Sequence, residues 1–367
     1  MSLVIREAEF AELFTLALPM IDVRAPVEYE HGAFPSAVNL PLLNDAERHQ
    51  VGIQFKNAGQ DAAFALANDL VNGKSKQRRI DGWREFLSNN PGAVVYCFRG
   101  GLRSRTAQQW LRDHGTDVAI VEGGYKALRH FLIKTIEEVS ADSKFLIIGG
   151  KTGSAKTHLI NSLQHSVDLE GLANHRGSAF GKRIQGQPSQ IDFENRLGIS
   201  LLQLPYKNIE HIFLEDESRA IGSLSIPKDF YLKMTESPIA MLEESLEARI
   251  ETIYKDYIYS NFQDFKAQDG AAAADNFSEF LLGSLARIHR RLGGEKYGQI
   301  RATMEQALQH NDSEEAESLH RHWIESLLSD YYDPMYEYQI NKKLNRVIYR
   351  GTREEFTAWA SHLNRLG

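Results

Sequence analysis

Short apolar segments alternate with amphipathic segments along roughly the first 135 residues of the chain. Met20–Val23, Val94–Tyr96 and Val118–Val121 are the clearest segments of strand length, and apart from Asp22 their residues are apolar. Between and after them, Arg105–Leu111 and Lys126–Glu138 repeat apolar side chains with helical spacing. Strands that alternate with helices in this way are typical of a parallel sheet with helices on its faces. The pattern therefore predicts an α/β fold for this part of the chain.

A second block of alternating segments begins near residue 139. The apolar run Phe145–Ile148 is followed by two glycines and a helix-like segment, and a later strand-like segment, Ile209–Leu214, is followed by carboxylates. From about residue 241 the segments become long and amphipathic, as in Met241–Tyr259 and Phe277–Leu292. The predicted regions are an α/β domain over residues 1–138, the core of a second α/β domain over 139–240, and a mostly helical extension over 241–367 that can include a final strand.

The composition is that of an ordinary globular protein. Of 367 residues, 42% are hydrophobic and 25% are charged, and this length exceeds that of a usual single core. Acidic residues outnumber basic ones by 49 to 42, which argues against indiscriminate binding of nucleic acid but leaves room for a local basic groove. The first residues lack the apolar region of a secretory signal, so we expect a cytoplasmic protein without membrane contact.

Cys97 is the only cysteine of the chain, and it lies where an apolar run meets a loop rich in glycine and arginine. A lone cysteine forms no internal disulfide, so it is either an inert core residue or a reactive thiol. Nearby arginines and the N–H groups at the start of a helix favour the thiolate, the reactive form. The loop composition thus favours Cys97 as a nucleophile, with Arg99 and Arg103 binding an anionic substrate.

Residues 150–157, Gly-Lys-Thr-Gly-Ser-Ala-Lys-Thr, follow the phosphate-loop template of a glycine, four residues, a glycine, a lysine and a serine or threonine. The one departure is alanine in place of the second glycine, which is harmless if its φ is negative. In this segment, here called the phosphate loop, backbone N–H groups and the lysine are expected to bind phosphate oxygens. The predicted phosphate-binding residues are Gly150, Gly153, Ser154, Ala155, Lys156 and Thr157.

Carboxylates that follow the next apolar run predict a magnesium site. Glu215 and Asp216 come directly after Ile209–Leu214, the place where a phosphate-loop protein holds Mg²⁺ with an acidic side chain. The predicted ligands are the hydroxyl of Thr157 and either Asp216 or Glu215. An ordinary strand leaving the sheet is the alternative interpretation of this segment.

The N-terminal block resembles a rhodanese domain. Asp22–Arg24 and Ala37–Pro41 are similar to two signature elements of that family, Glu122–Gly124 is similar to its last strand and turn, and Cys97 occupies the place of its nucleophile. Common rhodaneses have four residues between the cysteine and the arginine, whereas five separate Cys97 from Arg103. This longer loop is shared with related phosphatases, makes a wider cradle, and weakens the case for thiosulfate as the donor.

A rhodanese domain joined to a phosphate-loop domain resembles the family of bacterial tRNA 2-selenouridine synthases over nearly the whole chain. Further similar stretches are Asp168–Gly181, Gln187–Gln190, Glu215–Gly222 and Tyr331–Tyr336. The resemblance implies two reactions on the wobble uridine of tRNA. The sulfur of 2-thiouridine is first alkylated by geranyl diphosphate, and selenium from selenophosphate then replaces the S-geranyl group. It also makes selenophosphate synthase a candidate partner.

In this interpretation the phosphate loop binds geranyl diphosphate without ATP hydrolysis, and no cofactor other than Mg²⁺ is expected. Cys97, with Arg99 and Arg103, handles selenophosphate, and its sulfur either accepts selenium as a selenenyl sulfide or only positions the donor. We expect the tyrosines of residues 331–338 to pack in the core rather than to stack on a base. The predicted tRNA-binding residues are His175, Arg176, Lys182, Arg183, Arg287, Arg290 and Arg291.

Two other function classes fit the same motifs. A phosphate-loop ATPase or kinase regulated by a rhodanese-like domain would turn over ATP with Mg²⁺ and without tRNA. A plain sulfurtransferase, or a phosphatase, would need only the loop around Cys97. Assays with ATP, with thiosulfate and cyanide, and with a phosphate ester separate these alternatives.

Overall fold

The computed structural model describes residues 3–309 and 313–363, which form two compact units. The first unit comprises Met1–Glu138 and Ser189–Leu204. The second comprises Val139–Pro188 and Pro205–Gly367. The chain passes from the first unit to the second, and returns once for the short segment 189–204.

A five-stranded parallel sheet forms the centre of the first unit. Its strands are β1 (Val4–Ile5), β2 (Met20–Asp22), β3 (Ala37–Asn39), β4 (Val94–Tyr96) and β5 (Ala119–Val121). They lie in the order β1-β5-β4-β2-β3. Successive side chains of a strand point to opposite faces, so Ile21 and Val95 pack in one core and Met20 and Val94 in another. This two-sided burial explains why β4 and β5 consist of apolar residues, and why β2 does so apart from Asp22.

Helices of the first unit complete these two cores. They are α1 (Phe10–Thr15), α2 (Pro26–Glu30), α3 (Asp45–Leu70), α4 (Gly73–Asn89), α5 (Leu102–Asp113) and α6 (Gly124–Asp142). Trp83 of α4 and Leu111 of α5 pack on one face of the sheet, and Phe10 of α1 and Leu128 of α6 pack on the other. The predicted α/β domain is confirmed.

The second unit also contains a parallel sheet. The strands of this unit are β6 (Phe145–Gly149), β7 (Ser166–Val167), β8 (Ile212–Glu215), β9 (Ala220–Ile221), β10 (Leu224–Ser225), β11 (Ile239–Leu242) and β12 (Val347–Gly351). Five of them form the sheet β12-β11-β6-β8-β7, and β9 and β10 form a separate antiparallel pair. The final strand allowed by the sequence is thus present as β12. Because β6 and β8 are neighbours, Ile148 pairs with Glu215, and the carboxylates after β8 lie beside the segment that follows β6.

The remaining helices are α7 (Lys156–Ser162), α8 (Leu169–Leu172), α9 (Gln190–Leu202), α10 (Lys228–Glu236), α11 (Leu246–Ile253), α12 (Ser260–Asp269), α13 (Ala273–Leu292), α14 (Gly294–Leu308), α15 (Glu314–Leu327), α16 (Asp333–Asn341) and α17 (Arg353–Leu363). Two π-helical turns, Tyr254–Tyr259 and Leu328–Tyr332, continue α11 and α15. Within the described ranges, no helix is both long and apolar enough to cross a membrane.

Two sequence expectations differ from the structure. The segment Met241–Tyr259, predicted as a long amphipathic segment of the helical extension, begins inside β11, and α11 starts only at Leu246, where the Ser245 hydroxyl caps its first turn. Residues 189–204, assigned to the second domain, pack with the first unit. There α9 buries Phe193 and approaches α6 at Gly198, where an added Cβ would lie 3.0 Å from Leu132.

Candidate functional site

The cysteine loop, Cys97–Arg103, connects β4 to α5. Cys97 is 3% exposed, and its Sγ lies 3.3 Å from Oγ of Ser104. Gly100 and Gly124 both have positive φ and lie against each other: a Cβ on Gly124 would come within 2.4 Å of the Gly100 nitrogen. Glycine is therefore required at this close approach, which fixes the loop against the turn after β5.

The cysteine loop offers backbone N–H groups to an anion. Among the described residues, the N–H groups of 98–103 donate to no protein acceptor. The loop also leads into the N-terminus of α5, whose dipole favours negative charge. The structure therefore supplies the N–H cradle expected from the sequence.

The two predicted arginines of this loop have different surroundings. Arg103 forms a two-point ion pair with Glu28, with Nη1–Oε2 and Nη2–Oε1 distances of 2.5 and 3.1 Å. Burial opposes ionisation of Glu28, but the hydrogen bond and charge of Arg103 outweigh it and lower the pKa of Glu28. Arg99 is exposed and pairs with no carboxylate in the described part of the chain. Arg99 is thus the cation left for a substrate, while Arg103 is largely neutralised.

The phosphate loop connects β6 to α7, as its template requires. In the described ranges, the N–H groups of Lys151–Gly153 and of Ala155 donate to no protein acceptor. Lys156 donates from Nζ to the Gly150 carbonyl at 2.9 Å, and the buried Ser154 hydroxyl has no partner. These groups form a cradle with free donors and one lysine at a helix N-terminus.

Ala155 adopts a conformation that favours glycine. Its φ of 57° and ψ of 39° lie in the left-handed region, so the condition of a negative φ stated above is not met. An L-residue in this region is disfavoured by roughly 1–2 kcal/mol, because Cβ crowds the backbone. The departure from the template is therefore a source of strain at the start of α7.

Helix α16 contacts the phosphate loop through residues that were not predicted as site residues. The Tyr336 hydroxyl accepts a hydrogen bond of 2.6 Å from the N–H of Gly150. Asp333 forms a two-point ion pair with Arg249, with both distances 2.8 Å, and also pairs with Lys151 at 3.3 Å. The signal available in the sequence is the Tyr331–Tyr336 stretch, which resembles the family, although core packing was expected for its tyrosines.

The hydroxyl of Thr157, a predicted magnesium ligand, donates to Oε2 of Glu170 at 3.0 Å. The same Glu170 carboxylate also acts on Glu217. Burial, followed by the charge of Glu170, raises the pKa of Glu217 well above its usual value. Glu170 lies in the Asp168–Gly181 stretch and was not predicted as a site residue. In the structure, Glu170 is the carboxylate that accepts a hydrogen bond from the Thr157 hydroxyl.

The two predicted acidic ligands are engaged elsewhere. Asp216 accepts a hydrogen bond of 2.7 Å from Nζ of Lys343. Glu215 is fully buried, accepts from the Leu169 N–H at 2.9 Å, and has its second oxygen unpartnered. Burial raises its pKa well above the usual value, which favours the neutral acid. Across the described residues, no group of three or more His, Cys, Asp or Glu side chains is arranged to hold a metal.

Four of the predicted tRNA-binding residues line one cleft of about 640 Å³ in the second unit: His175, Lys182, Arg183 and Arg287. His175 and Lys182 face each other across an antiparallel bridge, so their loop is a hairpin. Arg287 comes from α13 and donates to the Ala179 carbonyl of this hairpin at 2.7 Å. The structure thus brings together basic residues more than a hundred positions apart.

The other three predicted tRNA-binding residues lie outside this cleft. Arg176 donates to Oδ1 of Asn261 at 3.0 Å, its guanidinium lies 4.9 Å from the ring centre of Tyr257, and burial lowers its pKa. Arg290 and Arg291 are exposed on the last turn of α13.

Within the cleft, His175 is buried, and burial with two nearby cations lowers its pKa, so its imidazole is neutral at pH 7. The positive charge of the cleft therefore comes from Lys182, Arg183 and Arg287.

Comparison with known proteins identifies both parts of the chain. Residues 143–366 match the model of the tRNA 2-selenouridine synthase AAA domain, and residues 8–130 match that of the rhodanese-like domain. The chain belongs to the tRNA 2-selenouridine synthase family. The rhodanese-like and phosphate-loop fold classes expected from the sequence are confirmed.

Members of this family from three bacteria are similar along almost their whole length. The tRNA 2-selenouridine synthase of Marinobacter nauticus is 48% identical over 96% of each chain. That of Shewanella frigidimarina is 47% identical over 98% of each chain. That of Pseudomonas fluorescens is 48% identical over 94% of this chain and 95% of its own.

Proposed function

We propose that this chain is an enzyme that exchanges the sulfur of 2-thiouridine in tRNA for selenium, in two steps at two anion-binding sites. The names of the relatives support tRNA as the substrate and 2-selenouridine as the product. The observation that carries the two-step proposal is that one chain contains two separate cradles of free N–H groups. One of them holds the only thiol of the chain, and the other holds Lys156.

In the first step the sulfur of 2-thiouridine attacks the C1 carbon of geranyl diphosphate. The C–S bond forms, the C–O bond breaks, pyrophosphate leaves, and N3 of the base loses its proton. Negative charge grows on the leaving diphosphate, so the free N–H groups of the phosphate loop, Lys156 and the N-terminus of α7 stabilise the transition state.

Magnesium fits this step only with ligands other than the predicted pair of acids. Asp216 accepts a hydrogen bond from Lys343, and Glu215 is fully buried, which raises its pKa. Thr157 and Glu170 remain, and Mg²⁺ is commonly bound by one or two protein oxygens together with substrate phosphates and water. When bound, the ion would neutralise charge on the diphosphate.

The second step requires selenium from selenophosphate, and its electron balance defines what Cys97 does. Selenium in selenophosphate is already at the oxidation level of selenide. A selenenyl sulfide on Cys97 would therefore require a two-electron oxidant. Attack of the thiolate on phosphorus requires none, because the S–P bond forms, the P–Se bond breaks, and hydroselenide leaves.

We assign this attack on phosphorus to Cys97, with the N–H groups of the cysteine loop and Arg99 binding the phosphoryl oxygens. Ser104 lies within hydrogen-bonding distance of the thiol. Hydroselenide then adds at C2 of the S-geranyl base, the C–S bond breaks, and geranylthiol leaves. Water hydrolyses the phosphocysteine and restores the thiol.

Mass analysis of tRNA nucleosides made by purified variants tests this division of labour. Cys97→Ala is expected to accumulate S-geranyl-2-thiouridine and to make no 2-selenouridine, whereas Lys156→Ala is expected to make neither. Retained geranylation in Lys156→Ala would contradict the assignment of the phosphate loop. Turnover of ATP with Mg²⁺ at a rate that does not depend on tRNA would support the ATPase alternative instead.

The state of Cys97 is tested on the protein itself. After incubation with selenophosphate and an acid quench, mass spectrometry of the peptide that contains Cys97 is expected to show a phosphoryl group. The isotope pattern of selenium on this peptide would contradict attack on phosphorus. Cys97→Ser is the matched control for adducts elsewhere on the peptide.

A further inference from the structure

An apolar cavity lies beside the phosphate loop within the second unit. Thr152 of the loop forms part of its lining, and the rest comes mainly from the helical region: Tyr257, Trp323, Leu327, Leu328 and Tyr332. Its free volume is about 20 Å³, which holds about one water molecule. A ligand larger than water must therefore displace side chains of the lining.

Two π-helical turns form part of the lining. Tyr257 belongs to the turn Tyr254–Tyr259, and Leu328 and Tyr332 begin and end the turn Leu328–Tyr332. Such turns are rare inside helices and occur frequently at functional sites. Helix α16, which contacts the phosphate loop, follows directly after the second turn. The segments that line the cavity are therefore continuous with those that bind the loop.

Trp323 of α15 is the largest side chain of the lining and is held on two sides. Its ring stacks on Phe180 with ring centres 5.9 Å apart. Its Nε1 donates a hydrogen bond of 2.9 Å to Nδ1 of the buried His320. Leu327 lies one helical turn further along the same face. Trp323 is therefore fixed by these two contacts, and Leu327 lines the cavity beside it.

We propose that this cavity receives the prenyl chain of the diphosphate bound at the phosphate loop, and that Trp323 and Leu327 limit the length of chain admitted. The inference rests on the proposed function, because the diphosphate must lie at the loop for its chain to reach the cavity. Thr152 belongs to both places, so a chain attached to a diphosphate there has an apolar space directly next to it. The chain widens the cavity by moving side chains of the π-helical turns.

A series of diphosphates of increasing chain length tests the proposal by titration calorimetry. Geranyl diphosphate is expected to bind the wild-type protein at least about 100-fold more tightly than dimethylallyl diphosphate, because five more carbons leave water. Farnesyl diphosphate is expected to gain nothing further, because Trp323 and Leu327 exclude the longer chain. Equal affinities along the whole series would overturn the inference.

Two variants of Leu327 and one control locate the chain. Leu327→Ala is expected to raise the affinity for farnesyl relative to geranyl diphosphate by about tenfold, and Leu327→Phe to weaken geranyl diphosphate by about tenfold while dimethylallyl diphosphate is unaffected. Leu285→Ala removes a buried leucine of the same core that does not line the cavity, so it is the matched control. A chain preference that is the same in all variants would overturn the inference.

These measurements separate the two proposals. If no prenyl diphosphate binds the wild-type protein, or if Lys156→Ala binds all of them as tightly, the proposed function of the phosphate loop fails. If Lys156→Ala weakens all of them but the Leu327 variants behave like Leu285→Ala, only the cavity assignment fails. Since Leu327→Phe keeps an apolar side chain, the test does not depend on Leu327→Ala remaining folded.

Discussion

Ala155→Gly is expected to stabilise the second unit, because Ala155 adopts a left-handed conformation with φ 57°. This conformation disfavours an L-residue by roughly 1–2 kcal/mol relative to glycine. Glycine in turn loses about 0.5–1 kcal/mol through the greater freedom of the unfolded chain. The net gain in free energy of unfolding is about 0.5–1 kcal/mol, or roughly 1–4 °C in Tm for a unit of about 200 residues.

Calorimetry and urea unfolding of the parent and variant proteins measure this gain. Ala272→Gly is the matched control, since Ala272 also precedes a helix of the second unit but has φ −87° and is exposed. The control is expected to lose up to about 1 kcal/mol. An Ala155→Gly protein that is less stable than the parent, or a control that gains as much, would refute the reasoning.

Three further predictions concern the surroundings of the two sites. Burial lowers the pKa of His320 to about 4, so folding favours its neutral form. In urea titrations the free energy of unfolding should therefore fall by up to about 3 kcal/mol as the pH drops from 6.5 to 4. His320→Asn should lose less stability over the same pH range. Tyr336→Phe should lower the free energy of unfolding by about 1–3 kcal/mol, because the Gly150 N–H loses its acceptor. Glu28→Gln should remove the carboxylate that neutralises Arg103. The freed charge attracts anionic iodoacetate, so alkylation of Cys97, the only thiol, should become about threefold to tenfold faster with iodoacetate relative to neutral iodoacetamide.

Each of these predictions has an outcome that contradicts it. An equal loss of stability on acidification in His320→Asn would assign the pH dependence to other groups. An unchanged unfolding curve for Tyr336→Phe would mean that water replaces the hydroxyl without cost. If Glu28→Gln alters both alkylation rates equally, the change acts on access to the thiol rather than on charge.

The fold was predictable where local sequence pattern decides the structure. β2, β4 and β6 are buried on both faces, and apart from Asp22 of β2 they consist of apolar residues, which is how the sequence indicated them. The same property misled the prediction of Met241–Tyr259, because a short buried strand cannot be told from a buried part of a helix by its apolar residues. The packing of α9 with the first unit depends on tertiary contacts, and the order of elements along the sequence does not predict it.

The candidate site was likewise predictable only where a local sequence motif specifies it. The phosphate loop has a local template, and a lone cysteine in an arginine-bearing loop is a local signal. The contacts of Asp333 and Tyr336 with the phosphate loop, and of Glu170 with Thr157, join segments up to 186 residues apart, so no local pattern specifies them. The strain at Ala155 follows from the shape of the loop, which the alanine itself does not reveal.

The ion pairs show which charges each cradle can offer to a substrate. Arg103 is neutralised by Glu28, and Lys151 by Asp333 and a neighbouring glutamate. Among the described residues, Lys156 has no carboxylate within ion-pair distance, and in the cysteine loop the same holds for Arg99. Each cradle therefore combines free N–H groups with one uncompensated cation. Since substitutions other than proline leave the backbone N–H groups in place, Lys156 and Arg99 are the positions at which charge on the two substrates can be tested separately.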